Sequence, residues 1–124
     1  MSKKEEPLIL SIETATRAGS IALSRGRILL STRRGDATRS HSTDLLELMR
    51  GALDDATCRI QDVELFAVAL GPGSFTGLRI GVATAKSLAS TLERQVVGVP
   101  TLQAVALAAG AGETVVALLP AGRG

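Results

Sequence analysis

The sequence is short of the residues that most often announce a chemistry. Among its 124 residues there is one histidine, one cysteine, no tryptophan and no tyrosine, and the aromatics are Phe66 and Phe75 alone. A single thiol, Cys58, cannot build a disulfide framework, and a reducing cytoplasm is the simplest compartment for it. One histidine, His41, and one distant cysteine cannot close a zinc site. Any histidine-dependent mechanism must pass through His41, yet Ser74 is no partner nucleophile: Pro72 and Thr76 stand where a Gly-x-Ser-x-Gly elbow needs glycine. Two phenylalanines leave little on which nucleobases could stack, and a net charge of +2, from 14 basic and 12 acidic residues, is small. Direct binding of single-stranded nucleic acid is therefore disfavoured. No apolar run approaches the roughly 18 residues of a membrane span, and the charged residues Lys3 to Glu6 exclude the apolar core of a signal peptide.

What is present is ordinary for a globular domain, 45% hydrophobic and 21% charged, and the chain is long enough to bury a core unaided. Leu8–Glu13 is β-rich and reads as a strand buried on both faces. Ser20–Ser24 and Ile28–Arg33, separated by Arg25-Gly26-Arg27, continue it as an antiparallel meander. From Asp44, the spacing of Leu45, Leu46, Met49, Ala52, Leu53 and Ala56 predicts an amphipathic helix, with Asp44 and Glu47 in capping-box order and His41 leading into its start. A buried strand Leu65–Leu70 follows, then Gly71-Pro72-Gly73-Ser74-Phe75-Thr76-Gly77. A long helix comes next, with Leu78, Val82, Ala85, Leu88, Ala89 and Leu92 on one side. Gln95–Val99 is a short strand, and Thr101 caps a third, Ala-rich helix to about Ala109. The order βββαβαβα means an α/β domain with a mixed sheet and helices on its faces. Residues 1–112 read as that domain, and the strand-like run Thr114–Leu119 as the opening of a second one, cut short at Gly124.

Two places invite chemistry. The Gly71–Gly77 loop lies between a strand and a helix, where backbone N–H groups can cradle an anion, although it matches neither the Walker nor the dinucleotide pattern. Gly71, Gly73, Ser74 and Thr76 are its candidate phosphate ligands, and glycines that merely permit a sharp turn are the equal alternative. Glu13, followed by Thr14, stands at a strand end where a carboxylate can hold a divalent ion through water, but no second acidic residue occupies a comparable strand end. A turn-bonding Glu13 is the stronger reading. Gly77 and Gly81 clear one face of their helix for close packing, Cys58 reads as a small buried or half-buried apolar residue, and Arg33, Arg34 and Arg39 form a local basic cluster that reads first as a solvated loop and second as a contact for an acidic partner or RNA phosphates.

The residues Ile9-Leu10-Ser11-Ile12-Glu13-Thr14-Ala15, His41-Ser42 ahead of Leu45-Leu46, and above all Gly71–Gly81 resemble the TsaB (YeaZ) family. That family is a subunit of the machinery that makes N6-threonylcarbamoyladenosine (t6A) at position 37 of tRNA. The resemblance implies an actin-like, Hsp70-like ATPase domain, related to the ribonuclease H fold, in a protein with two such domains. It implies a cytoplasmic, non-catalytic scaffold that dimerises with itself or with the TsaD-like catalytic subunit, works with a TsaE-like ATPase and meets tRNA only indirectly. The segment after Val99 carries no histidine where the catalytic paralogue has its metal-binding motif. The first hypothesis is thus a binding module whose surface includes Leu45, Leu46, Met49, Leu53, Arg79 and Val82. The alternative is a nucleotide-binding or phosphate-using enzyme taking ATP or ADP with magnesium at Glu13, Thr14 and the Gly71–Thr76 loop. Glu13 stands where aspartate is commoner in the family, and Pro120 and Gly122 where Asp and Arg often stand, which weakens that alternative.

Overall fold

The structure, a computed structural model, describes residues 6–36 and 41–100, the first three residues of the second stretch by backbone alone. The expected third helix, the strand after it and the proposed domain boundary all lie outside the described residues. Five strands, β1 (Leu8–Glu13), β2 (Ser20–Arg25), β3 (Ile28–Arg34), β4 (Leu65–Gly71) and β5 (Gln95–Pro100), form one sheet in the order β3-β2-β1-β4-β5. β1–β2 and β2–β3 are antiparallel, whereas β1–β4 and β4–β5 are parallel. The mixed sheet expected from the sequence is therefore observed.

Registry explains where the core lies. Leu10 is opposite Leu23 on one side and Phe66 on the other, and Ile12 is opposite Ile21 and Val68, so these side chains share one face. Helices α1 (His41–Asp55) and α2 (Phe75–Leu92) both close that face. Leu45, Met49, Ala52 and Leu53 come from α1, Ala85 and Ala89 from α2. β1 is consequently not buried on both faces. Leu8, Leu10 and Ile12 are buried, while Ile9, Ser11 and Glu13 on the other face are half-buried, because both described helices pack on the same side.

The helix α1 begins at His41, three residues ahead of the expected start at Asp44. Asp44 consequently sits within the first turn, almost fully buried, and its Oδ2 accepts from the Asp36 N–H at 3.3 Å. Both helices end in the same way. Cys58 N–H reaches Leu53 O and Thr57 N–H reaches Asp54 O after α1; Arg94 N–H reaches Ala89 O and Glu93 N–H reaches Ser90 O after α2. These paired bonds form Schellman caps, and the residues at their turning points, Thr57 (φ 55°) and Glu93 (φ 56°), take the left-handed conformation usually left to glycine.

The face of α2 that meets the sheet is built from small residues, Gly77, Gly81, Ala85 and Ala89, at four-residue spacing. Leu78, Val82, Leu88 and Leu92 flank that line and are half-buried. On the other side of the molecule β3 is tied to α1. Ser31 Oγ donates to Ala52 O at 2.6 Å, and Arg33 lies over Gly51 to make a two-pronged pair with Asp55 at 2.8 and 2.9 Å.

Candidate functional site

The turn after β1 and the loop before α2 meet at the ends of β1 and β4 and form one hydrogen-bonded unit. Ser74 caps α2, its Oγ accepting from the Gly77 N–H at 3.3 Å, and its own N–H donates to Ala15 O at 3.0 Å. Thr14, fully buried, donates its hydroxyl proton to Gly77 O at 2.5 Å. A Cβ at Gly73 would lie 2.7 Å from Ala15 O, and one at Gly81 would overlap the Thr14 hydroxyl, so both glycines are required by close approach. Gly71, at φ +118°, turns the chain out of β4 in a conformation that a side chain would strain.

Glu13 is held in the same turn. Its Oε2 accepts from the Thr16 N–H at 2.6 Å, and its Oε1 accepts from Thr16 Oγ1 at 2.9 Å and Ser20 Oγ at 3.1 Å. Among the described residues no group of three or more His, Cys, Asp or Glu side chains could hold a metal ion. A magnesium–nucleotide group needs an outward-facing carboxylate and amides free to meet phosphate. Glu13 bonds within its own turn, Thr14 bonds to α2 and the Ser74 N–H bonds to Ala15 O, so these polar groups are engaged within the protein. Thr76 and Gly73 are exposed beside it.

The structure separates the sequence-derived surface residues into two sets. Leu45, Met49 and Leu53 are 3%, 4% and 8% exposed and belong to the core, so the domain itself consumes them. Leu46 is 65% exposed, and with Ala83, Thr84, Ser87 and Leu88 it lines an open groove of about 300 Å³ between α1 and α2. Val82 is half-buried against the core, whereas Arg79 is exposed with its guanidinium 5.5 Å from the centre of the Phe75 ring. Phe75, 62% exposed, was not among the expected surface residues. Spacing could have found it: Phe75, Arg79 and Ala83 recur every four residues on the side of α2 away from the line of small residues. The same arithmetic removes Leu46 from the core face, since Leu45, Met49, Ala52, Leu53 and Ala56 form a complete stripe without it. Cys58 is half-buried, its thiol 3.4 Å from Ala56 O. No described helix is long and apolar enough to cross a membrane.

Comparison with known proteins places this arrangement. The family model for TsaD, tRNA N6-adenosine threonylcarbamoyltransferase, matches residues 35–124. TsaB of Escherichia coli K12 is 36% identical over 98 residues, 79% of this chain and 42% of its own length. TsaB of Bacillus subtilis 168 is 35% identical over 98 residues, 79% of this chain and 43% of its own. YeaZ from Pseudomonas aeruginosa superposes with a TM-score of 0.71 at 33% identity, over 77% of this chain and 44% of that one. The chain thus spans somewhat under half the length of these relatives, and its mixed five-stranded sheet is that of an actin-like, Hsp70-like ATPase domain. On the family match, the identity and the shared fold together, the chain belongs to the TsaB (YeaZ) family, within the wider group that the TsaD model describes.

Proposed function

We propose that this chain is a non-catalytic, scaffolding part of the machinery that makes t6A at position 37 of tRNA. It pairs with itself or with a TsaD-like catalytic subunit through α1 and α2, with a TsaE-like ATPase as a further partner, in the cytoplasm. The observation that carries this reading is the groove between the two helices, where Leu46 stands 65% exposed beside Ala83, Thr84, Ser87 and Leu88. An apolar side chain held out from one helix over a floor of small residues on the next suits the packing of a second helix pair. Phe75 and Arg79 extend that surface toward the start of α2 with the residue types that anchor interfaces. The names of the relatives supply the pathway, and the lack of histidine after Val99 supports the accessory rather than the transferring role. The phosphate-using alternative is not favoured by a turn in which Glu13, Thr14 and Ser74 bond within the protein.

The test is Leu46→Arg, measured by sedimentation and by co-purification with a TsaD-like subunit. The side chain is exposed, so folding measured by circular dichroism should not change, while association should be lost. Met49→Arg serves as the contrast: it places a charge in the core and should unfold the chain outright. A Leu46→Arg protein that sediments and co-purifies like the parent would overturn the assignment of this face.

A further inference from the structure

Charge along the chain is segregated in a way that the helical groove does not use. From Thr14 to Gly35 there is no acidic residue, yet the segment holds Arg17, Arg25, Arg27, Arg33 and Arg34. Folding places most of it on β2 and β3, at one edge of the sheet, where the acidic side chains brought to it are Glu6, beside the Arg25-Gly26-Arg27 turn, and Asp55 of α1. Arg33 is paired with Asp55, and Arg25 donates through Nη1 to Glu6 O at 3.3 Å. Arg27 and Arg34, at the two ends of β3, are exposed and make no ion pair with any described residue. Between them stand Ile28, Leu29 and Leu30, 69%, 61% and 39% exposed. Among the described residues β3 has a hydrogen-bonded neighbour on one side only.

We propose that this edge is a docking strip for an acidic, apolar segment of a partner polypeptide in extended conformation, with Leu29 and Ile28 as its apolar seat and Arg27 and Arg34 as its charged ends. A strand's outer edge offers unpaired backbone groups that an added strand can satisfy, and its side chains select which strand is accepted. A second copy of this chain would bring arginine against arginine. The skipped residue at Leu30, where Leu23 pairs with Ser31 and Ser24 with Leu29, further bends the edge away from self-pairing. An RNA backbone would answer the arginines but leave Ile28 and Leu29 facing phosphate and water, and the strip has no aromatic for a base. A segment alternating carboxylate and branched apolar side chains answers both features. The strip uses none of the groove residues Leu46, Ala83, Thr84, Ser87 and Leu88, so its fate is independent of the scaffold reading.

The experiment is fluorescence polarisation of a labelled heptapeptide alternating glutamate and leucine, at low salt, against the parent chain and two variants, Leu29→Ser and Arg34→Glu. A glutamate–serine peptide, a lysine–leucine peptide and polyuridylate are the controls. The expected result is saturable binding of the glutamate–leucine peptide, weakened about tenfold by either substitution, as loss of roughly 1.4 kcal/mol requires. Unchanged melting temperatures show that the variants are folded; should Leu29→Ser lower the melting temperature, Arg27→Glu at the β2–β3 turn replaces it. Absence of saturable binding overturns the proposal. So does equal affinity for the serine peptide, equal affinity of Leu29→Ser, or polyuridylate displacing the peptide from parent and Leu29→Ser alike.

Discussion

Thr14 and Gly81 occupy one another's space: the buried threonine hydroxyl stands where a side chain on Gly81 would begin, and it spends its proton on the carbonyl of Gly77 one turn earlier in α2. The turn after β1 thereby sets how closely α2 lies on the sheet. Gly81→Ala should cost about 1–3 kcal/mol, the usual penalty for forcing a methyl group into a packed site. Thr14→Ala removes the obstacle but leaves Gly77 O without its donor, which should cost about 1–3 kcal/mol by itself. The two effects share one contact, so the double variant should lose less than the sum of the singles in urea denaturation. Strict additivity would show that the contact does not govern the packing.

The caps of the two helices make an opposite prediction. Thr57 and Glu93 hold φ of 55° and 56° at positions where glycine is favoured, and Thr57 is β-branched as well. A left-handed non-glycine residue costs about 1–2 kcal/mol, and glycine gives back about 0.5–1 kcal/mol through the entropy of the unfolded chain. Thr57→Gly and Glu93→Gly should therefore each stabilise the domain by roughly 0.5–1 kcal/mol, raising the thermal midpoint. A fall in midpoint for Thr57→Gly would mean that its side chain makes a contribution larger than the strain it carries.

The Arg33–Asp55 pair gives stability a small pH dependence. The hydrogen bond from Arg33, with its charge, holds the Asp55 carboxyl below the ordinary carboxylate range, and the same bond raises the Arg33 guanidinium. A carboxyl depressed in the folded state contributes stability that is present above its unfolded pKa and is lost as pH falls through the folded value. The raised arginine contributes below its unfolded pKa and loses that only in strong alkali. Both groups are solvent-exposed, so the effect is modest. Asp55→Asn should lower the urea midpoint slightly near neutrality, and the difference from the parent should close as pH is taken into the acid range. A constant difference across that range would show that the substitution acts through packing on α1 instead.

Much of the architecture was legible because the signals are local. The β-rich run Leu8–Glu13, the Arg25-Gly26-Arg27 turn and the periodic stripe of Leu45, Met49, Ala52 and Leu53 each depend on neighbours a few positions away, and the elements follow them, although only one face of β1 is buried where two were expected. α1 starts three residues ahead of Asp44: local sequence marks Asp44 as a cap, whereas its carboxylate accepts from the Asp36 N–H. The loop before α2 was ambiguous for a similar reason. Glycines that leave room for phosphate and glycines that leave room for Ala15 and Thr14 have the same pattern in sequence.

By itself the sequence determined the family, the order of strands and helices, and which helical stripes are apolar, since these rest on residue type and short-range spacing. Only the tertiary structure decided what each candidate residue faces. It turned Glu13 into the turn with Thr16 and Ser20, aimed Thr14 at α2, sank Leu45, Met49 and Leu53 into the core and left Leu46 outside. The physical reason is that exposure and hydrogen-bond partnership belong to pairs of residues far apart in the chain, such as Thr14 and Gly77, and no local pattern records which of two such surfaces meets the other.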